Sequence, residues 1–125
     1  MRAMVVDDSG MLRMLVTKIL KGAGYEVAEA ADGRIALDKV RDEGLPDLIV
    51  LDWNMPVLDG YGFLVEFRKE AKHAAAKVIL LTTEGQREKI LKALEAGADD
   101  YITKPFEADA LLTKVQRIME AGDVL

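Results

Sequence analysis

The chain has 125 residues, half of them apolar and 31% charged, so at roughly 150 residues per domain it is expected to form one globular domain with no second output module. Seventeen Lys and Arg against 22 Asp and Glu give a net charge of −5, the wrong sign for holding a polyanion by counterion release; direct binding of nucleic acid or of an acidic membrane is not expected. There is no cysteine, no basic leader followed by an apolar stretch and no apolar run near the roughly 20 residues of a membrane span; this excludes disulfides and thiolate chemistry, and the chain reads as cytoplasmic.

In chain order, Ala3 to Val6 is a short apolar run ending in Asp7-Asp8 and predicts a first strand. Leu12, Leu15, Val16, Ile19 and Leu20 follow at helical spacing, with Gly22 and Gly24 punctuating the end. Val27-Ala28 predicts a second strand. Ala36, Leu37 and Val40 predict a second helix, closed by Gly44-Leu45-Pro46. Leu48 to Leu51 is a continuous apolar run leading into Asp52, followed by a helix on Phe63, Leu64 and Phe67. Val78 to Leu81 leads into Thr82, followed by a helix on Ile90, Leu91 and Leu94 that stops before Gly97. Tyr101-Ile102 predicts a fifth strand before Lys104-Pro105. Leu111, Leu112, Val115, Ile118 and Met119 predict the last helix, which puts the domain at residues 1–121 and a frayed tail at 122–125.

Five strands alternating with five helices form a βαβ succession, and continuous rather than alternating apolar strands imply a parallel sheet covered on both faces. Right-handed crossovers leave few windings, and the expected fold is α/β: a doubly wound five-stranded parallel sheet in the flavodoxin-like order 2-1-3-4-5, with five helices. Such sheets bind ligands beyond the carboxyl ends of the strands where the winding reverses, here between strands 1 and 3. Those loops carry Asp7, Asp8 and Asp52, so three carboxylates should converge within about 5 Å, each pair repelling by about 3 kcal/mol at an effective dielectric near 20. A hard cation relieves that repulsion, and Mg²⁺ suits few carboxylates, retained waters and a phosphate-bearing substrate.

Lys104 follows the fifth strand and opens at the same edge, where it can pair with a carboxylate or a phosphoryl oxygen; alone, a Lys before Pro is more often a surface residue. Thr82 closes the fourth strand as a possible donor to a phosphate oxygen. Its competing reading is a turn or cap hydroxyl, because Thr83-Glu84-Gly85-Gln86 resembles a weak capping box. An acid pair, a lone acid, a hydroxyl and an ammonium at successive strand ends suit phosphoryl transfer, where positioning and charge neutralisation do most of the work.

Val5-Val6-Asp7-Asp8-Ser9, Leu51-Asp52-Trp53-Asn54-Met55-Pro56 with Asp59-Gly60, Leu81-Thr82-Thr83-Glu84 and Tyr101-Ile102-Thr103-Lys104-Pro105-Phe106 together resemble the receiver domain of two-component response regulators, and within it the single-domain chemotaxis regulators. The likeness spans the chain, with Asp52 placed 44 residues after Asp8, 30 before Thr82 and 52 before Lys104. It implies that Asp52 is the phosphoacceptor for a histidine kinase. It implies that Asp8 and Asp52 hold Mg²⁺ directly with the main-chain carbonyl of Asn54, that Asp7 acts through water, and that Lys104 and Thr82 take phosphoryl oxygens. It also implies a cis Lys104-Pro105 bond, and a switch in which Thr82 moves toward the phosphate and Tyr101 turns into the vacated space. Asn54 and Glu84 match the chemotaxis members at two positions that edge the phosphate and tune its hydrolysis, and Trp53 matches beside the acceptor. Thr83 departs from the Ala found there and narrows the path of Tyr101.

The resemblance further implies a monomeric signalling phosphoprotein rather than an enzyme. Its phosphorylated face would bind a flagellar motor switch protein or another protein target, and a phosphatase would be a further partner. A phosphate sink or relay, or a receiver excised from a longer regulator, are the alternatives within the class. A flavin carrier shares the fold but needs a phosphate-welcoming first loop, which Asp7-Asp8 opposes. A Mg²⁺-dependent aspartyl-phosphate phosphatase of the haloacid dehalogenase type places its Asp-x-Asp on the first strand, whereas Asp52 lies mid-chain. Pro56 and Val57 break an EF-hand reading of Asp52 to Asp59, and no Walker loop occurs. His73, with no candidate partner, is expected to be exposed.

Overall fold

A computed structural model describes residues 1–83 and 85–121; the expected tail at 122–125 and Glu84 lie outside the described residues. Five parallel strands, β1 (Arg2–Val6), β2 (Glu26–Ala30), β3 (Leu48–Asp52), β4 (Lys77–Thr83) and β5 (Asp100–Lys104), lie in the order β2-β1-β3-β4-β5. Five helices connect and follow them: α1 (Gly10–Gly22), α2 (Gly33–Glu43), α3 (Gly60–Arg68), α4 (Arg87–Glu95) and α5 (Ala108–Ala121). This is the doubly wound architecture that the apolar runs predict.

The period-2 geometry of the strands divides the core in two. Met4, Val6, Ile49, Leu51, Val78 and Leu80 face one way and pack with Ala36, Val40, Phe63, Leu64, Phe67 and Ala93 of α2, α3 and α4. Ala3, Val5, Leu48, Val50, Ile79 and Leu81 face the other way and pack with Val16 and Leu20 of α1 and Leu111, Val115 and Ile118 of α5. Every residue of β3 is buried, which is why its sequence shows no alternation.

The helices carry narrower buried stripes than their spacing suggests. Leu15, Leu91 and Leu94 are exposed, and α4 fully buries only Ala93, because it packs on β4 and α3 near the edge of the sheet. His73, expected to be exposed, is 8% exposed. Its ring stacks on Phe67 with centroids 4.4 Å apart, and its Nδ1 lies 2.7 Å from the Phe67 carbonyl oxygen. Arg68 draws this segment inward by donating to the carbonyls of His73 at 2.7 Å and Ala76 at 2.9 Å, and it reaches Gly97 at 2.9 Å. A main-chain carbonyl partner leaves no trace in a side-chain pattern.

Three helix starts at the carboxyl edge are capped by short polar side chains. Ser9 accepts from the Leu12 N–H at 3.2 Å, Asp32 from Ile35 at 2.8 Å and Asp59 from Gly62 at 2.7 Å. The fourth differs from expectation. Helix α4 starts at Arg87 with Gln86 as its cap residue, and the Gln86 side chain does not cap it, because its carboxamide turns back to the end of β4.

Candidate functional site

The registers align Val6 with Leu51 and Asp52 with Leu81, so the chain segments leaving β1 and β3 emerge side by side. Asp7 continues from β1, its N–H donating to the Ala30 carbonyl at 3.1 Å, and it is 1% exposed. Its Oδ1 accepts from the Ser9 N–H at 2.9 Å, while its buried Oδ2 has no hydrogen-bond partner among the described residues. Asp8 is exposed and Asp52 is buried, and ligand oxygens of all three acids lie within 4.8 Å of one another.

Lys104, at the end of β5, reaches over the end of β4. Its Nζ donates to Asp52 Oδ1 at 2.9 Å and lies 3.7 Å from Asp7 Oδ2. The Lys104–Pro105 peptide is cis. One ammonium thus touches two of the three clustered carboxyl groups. Burial foremost pushes the Asp7 carboxyl above its ordinary 3.8; the Ser9 N–H opposes this, Asp52 adds to it, Lys104 opposes it and Asp8 adds to it.

A divalent cation fits these residues. The orphaned Asp7 Oδ2 is an acceptor without a donor, the oxygens are hard, and Asp8 is open to water, so an ion here could keep part of its hydration shell. Asp8 and the exposed Asn54 line an open cleft of about 460 Å³ together with Met55, Pro56 and Asp59. A roomier groove of about 560 Å³ between α2 and α3, lined in part by Arg34, Asp38, Glu66 and Glu70, lies away from the acids. Convergent charge locates the chemistry here, and volume does not.

Thr82 is 2% exposed, and its hydroxyl donates to Gln86 Oε1 at 2.9 Å, with the Thr83 carbonyl at 3.2 Å. Tyr101 is 36% exposed on the edge strand, with the Lys114 ammonium 5.1 Å from its ring centre; Lys114 also pairs with Asp100 at 3.2 Å. Thr83 is exposed. Trp53 is buried against Tyr61, with ring centres 5.9 Å apart. The structure therefore brings Asp7, Asp8, Asp52 and Lys104 together, bonds the Thr82 hydroxyl to Gln86 and sets Tyr101 at the surface of the edge strand. The position expected to edge the phosphate at Glu84 lies outside the described residues.

Three further residues shape the site. Arg13 donates to the main-chain carbonyl of Asp7 at 2.8 Å and pairs with Glu29 at 3.2 Å, fastening the first loop. Gly60 donates its N–H to the Trp53 carbonyl at 2.9 Å, and a Cβ there would meet the Asp52 carbonyl and lie 2.9 Å from Trp53 Cα. The Asp-Gly pair at 59–60 marked this turn in the sequence without showing that α3 presses on the end of β3. Gln86 was visible as the end of a capping box, which has the right spacing but the wrong bond.

The family model for the response regulator receiver domain matches residues 3–116. The chain is 37% identical over 119 residues to the chemotaxis protein CheY of Bacillus subtilis (strain 168), covering 94% of this chain and 97% of that one. It is 36% identical over 118 residues to the phosphate regulon transcriptional regulatory protein PhoB of Escherichia coli (strain K12), covering 94% of this chain and 51% of PhoB; it thus spans about half the length of the PhoB proteins it matches. The solved structure of Vibrio cholerae chemotaxis protein CheY4 is similar with a TM-score of 0.87 and 38% identity, covering 94% of this chain and 97% of that one.

Proposed function

This chain belongs to the response regulator receiver family, and from that premise we propose that it accepts a phosphoryl group on Asp52 from a histidine kinase, with Mg²⁺, and signals by binding a protein partner. The observation that carries the reading is the acidic pocket itself: three carboxylates within 4.8 Å, a buried orphan oxygen on Asp7, and Lys104 at 2.9 Å from Asp52.

An Asp52 carboxylate oxygen attacks the phosphorus of a phosphohistidine, forming the O–P bond as the N–P bond breaks and the imidazole leaves. Lys104 restrains the acceptor carboxylate before transfer and pairs with a phosphoryl oxygen after it. Asp8, Asp52 and the main-chain carbonyl of Asn54 would hold Mg²⁺, with Asp7 acting through water. When bound, Mg²⁺ neutralises charge on the acceptor and on the transferring group. Thr82 supplies a hydroxyl to another phosphoryl oxygen, and Tyr101 moves in response. Asn54 and Glu84 edge the phosphate and tune its loss by hydrolysis. Chain groups thus position and neutralise, as phosphoryl transfer requires, and the chain acts as a signalling phosphoprotein rather than a turnover catalyst.

Coverage of 97% of B. subtilis CheY favours a chemotaxis role, with a flagellar motor switch protein as target and a phosphatase as a further partner. The match to 51% of PhoB supports a second reading, a receiver whose output lies in another pathway. Among the described residues no helix is long and apolar enough to cross a membrane; a cytoplasmic site of action is part of the proposal. Acetyl phosphate with Mg²⁺ should label the chain on Asp52, and Asp52→Asn should abolish the label; mass spectrometry that finds equal incorporation in the variant overturns the assignment.

A further inference from the structure

The end of β4 and the start of α4 are joined by a side chain that the phosphoryl chemistry does not use. Gln86 Oε1 lies 2.9 Å from Thr82 Oγ1 and 3.2 Å from the Thr83 main-chain nitrogen. That N–H can only donate, which fixes the carboxamide with its oxygen toward β4. An amide oxygen can only accept, so the Thr82 hydroxyl hydrogen is directed to Gln86 or to the Thr83 carbonyl at 3.2 Å. In either arrangement that hydrogen is engaged at the β4–α4 junction, and a phosphoryl oxygen would have to take it from there.

Gln86 is also the cap residue of α4: its carbonyl accepts the Ile90 N–H at 3.0 Å, while its side chain caps nothing in the helix. One residue therefore starts α4 and restrains Thr82. Helix α4 also buries only Ala93 fully, and it presents Leu91 and Leu94 to solvent.

We propose that Gln86 is a positioning residue that latches Thr82 in the unphosphorylated arrangement, so that phosphorylation must draw the hydroxyl off Gln86 and in doing so releases the first turn of α4. This rests on Asp52 being the phosphoacceptor. The competition is one-sided enough to work as a switch. The latch is a hydrogen bond between neutral groups, and its rival is a bond to a charged phosphoryl oxygen, roughly twice as strong. The latch sets how much of the phosphate's interaction is spent on release, so removing it tightens binding of a phosphoryl mimic.

The experiment titrates beryllofluoride in saturating Mg²⁺, read by the fluorescence of Trp53, the single tryptophan, for the parent, Gln86→Met and Gln86→Ala, each also in a Thr82→Ala background. In the Thr82-containing chain, both substitutions should tighten apparent beryllofluoride affinity about fivefold, equivalent to about 1 kcal/mol, the value of one neutral hydrogen bond. In the Thr82→Ala background they should change nothing, and Gln86→Glu, which keeps the acceptor, should not tighten binding. Mg²⁺ affinity without beryllofluoride should match the parent throughout. Unchanged or weaker beryllofluoride affinity in both variants, or the same gain without Thr82, overturns the latch. A parent chain that binds no beryllofluoride overturns the phosphoacceptor reading instead, and the latch with it.

Discussion

The carboxyl edge of the sheet has two sides built to different standards. On the β1–β3 side, Asp7 is fixed by the Ser9 N–H, its carbonyl is held by Arg13, Asp52 is held by Lys104, and Gly60 brings the start of α3 against the end of β3. On the β4–β5 side, Thr82 is held by a neutral bond to one carboxamide, and Tyr101 lies at the surface beneath a lysine. In the proposed function the first side receives charge and must not yield, since a misplaced catalytic group loses orders of magnitude in rate. In the same proposal the second side reports the charge, because one neutral carboxamide bond restrains the buried Thr82 hydroxyl and Tyr101 sits at the surface. A tightly packed core on both sides would leave no second arrangement to populate.

The sharpest way to break the comparison is to loosen the rigid side. In Gly60→Ala the new Cβ meets the Asp52 carbonyl and Trp53 Cα across a backbone contact that cannot give way as a side chain could. Overpacking of this kind should cost about 3 kcal/mol in urea unfolding and slow acetyl phosphate labelling by about tenfold or more. If Gly60→Ala labels at the parent rate, the β1–β3 side is not the rigid half.

The second test uses charge. Asp7 binds its proton more tightly in the folded chain than its ordinary 3.8, chiefly through burial. Its ionisation therefore opposes folding: the cost is full above the raised value and fades as pH falls through it toward the unfolded value. Without Mg²⁺, Asp7→Asn should melt about 4 °C above the parent at pH 7, with the advantage shrinking toward pH 4 and accompanied by weaker Mg²⁺ binding. Thermal melts in a chelator at the two pH values check this, and an advantage that does not depend on pH refutes it.

The smallest effect concerns a loop on the same side. Val57 has φ of 66° and is 83% exposed, a β-branched residue in the left-handed region with no packing to offset the strain. Val57→Asn should raise stability by about 1 kcal/mol, and Val57→Gly by about half as much, because glycine also gains freedom in the unfolded chain. Denaturant midpoints check both, and a loss of stability in Val57→Asn would show that the loop depends on valine.

The fold was legible because it is carried by hydrophobic pattern. Leu48 to Leu51 and Val78 to Leu81 have no polar face, and only a sheet covered on both sides accepts such strands. The convergence of Asp7, Asp8 and Asp52 followed from the same reasoning, since strand order places the loops. His73 was misread for the opposite reason: its burial depends on a main-chain carbonyl and on Arg68 folding the segment inward, neither of which has a periodic signature.

The sequence alone thus determined a parallel sheet covered on both faces and the edge at which the acids meet, and it narrowed the winding to a few orders that include the observed one, because burial acts on residue type and position. Only the tertiary structure decided which bonds those groups make. It put Lys104 on Asp52 across a neighbouring strand, left Asp7 Oδ2 without a donor, and gave the Thr82 hydroxyl to Gln86. Those choices depend on directions and distances to within an ångström, and hydrogen bonds, unlike hydrophobic burial, are decided at that scale.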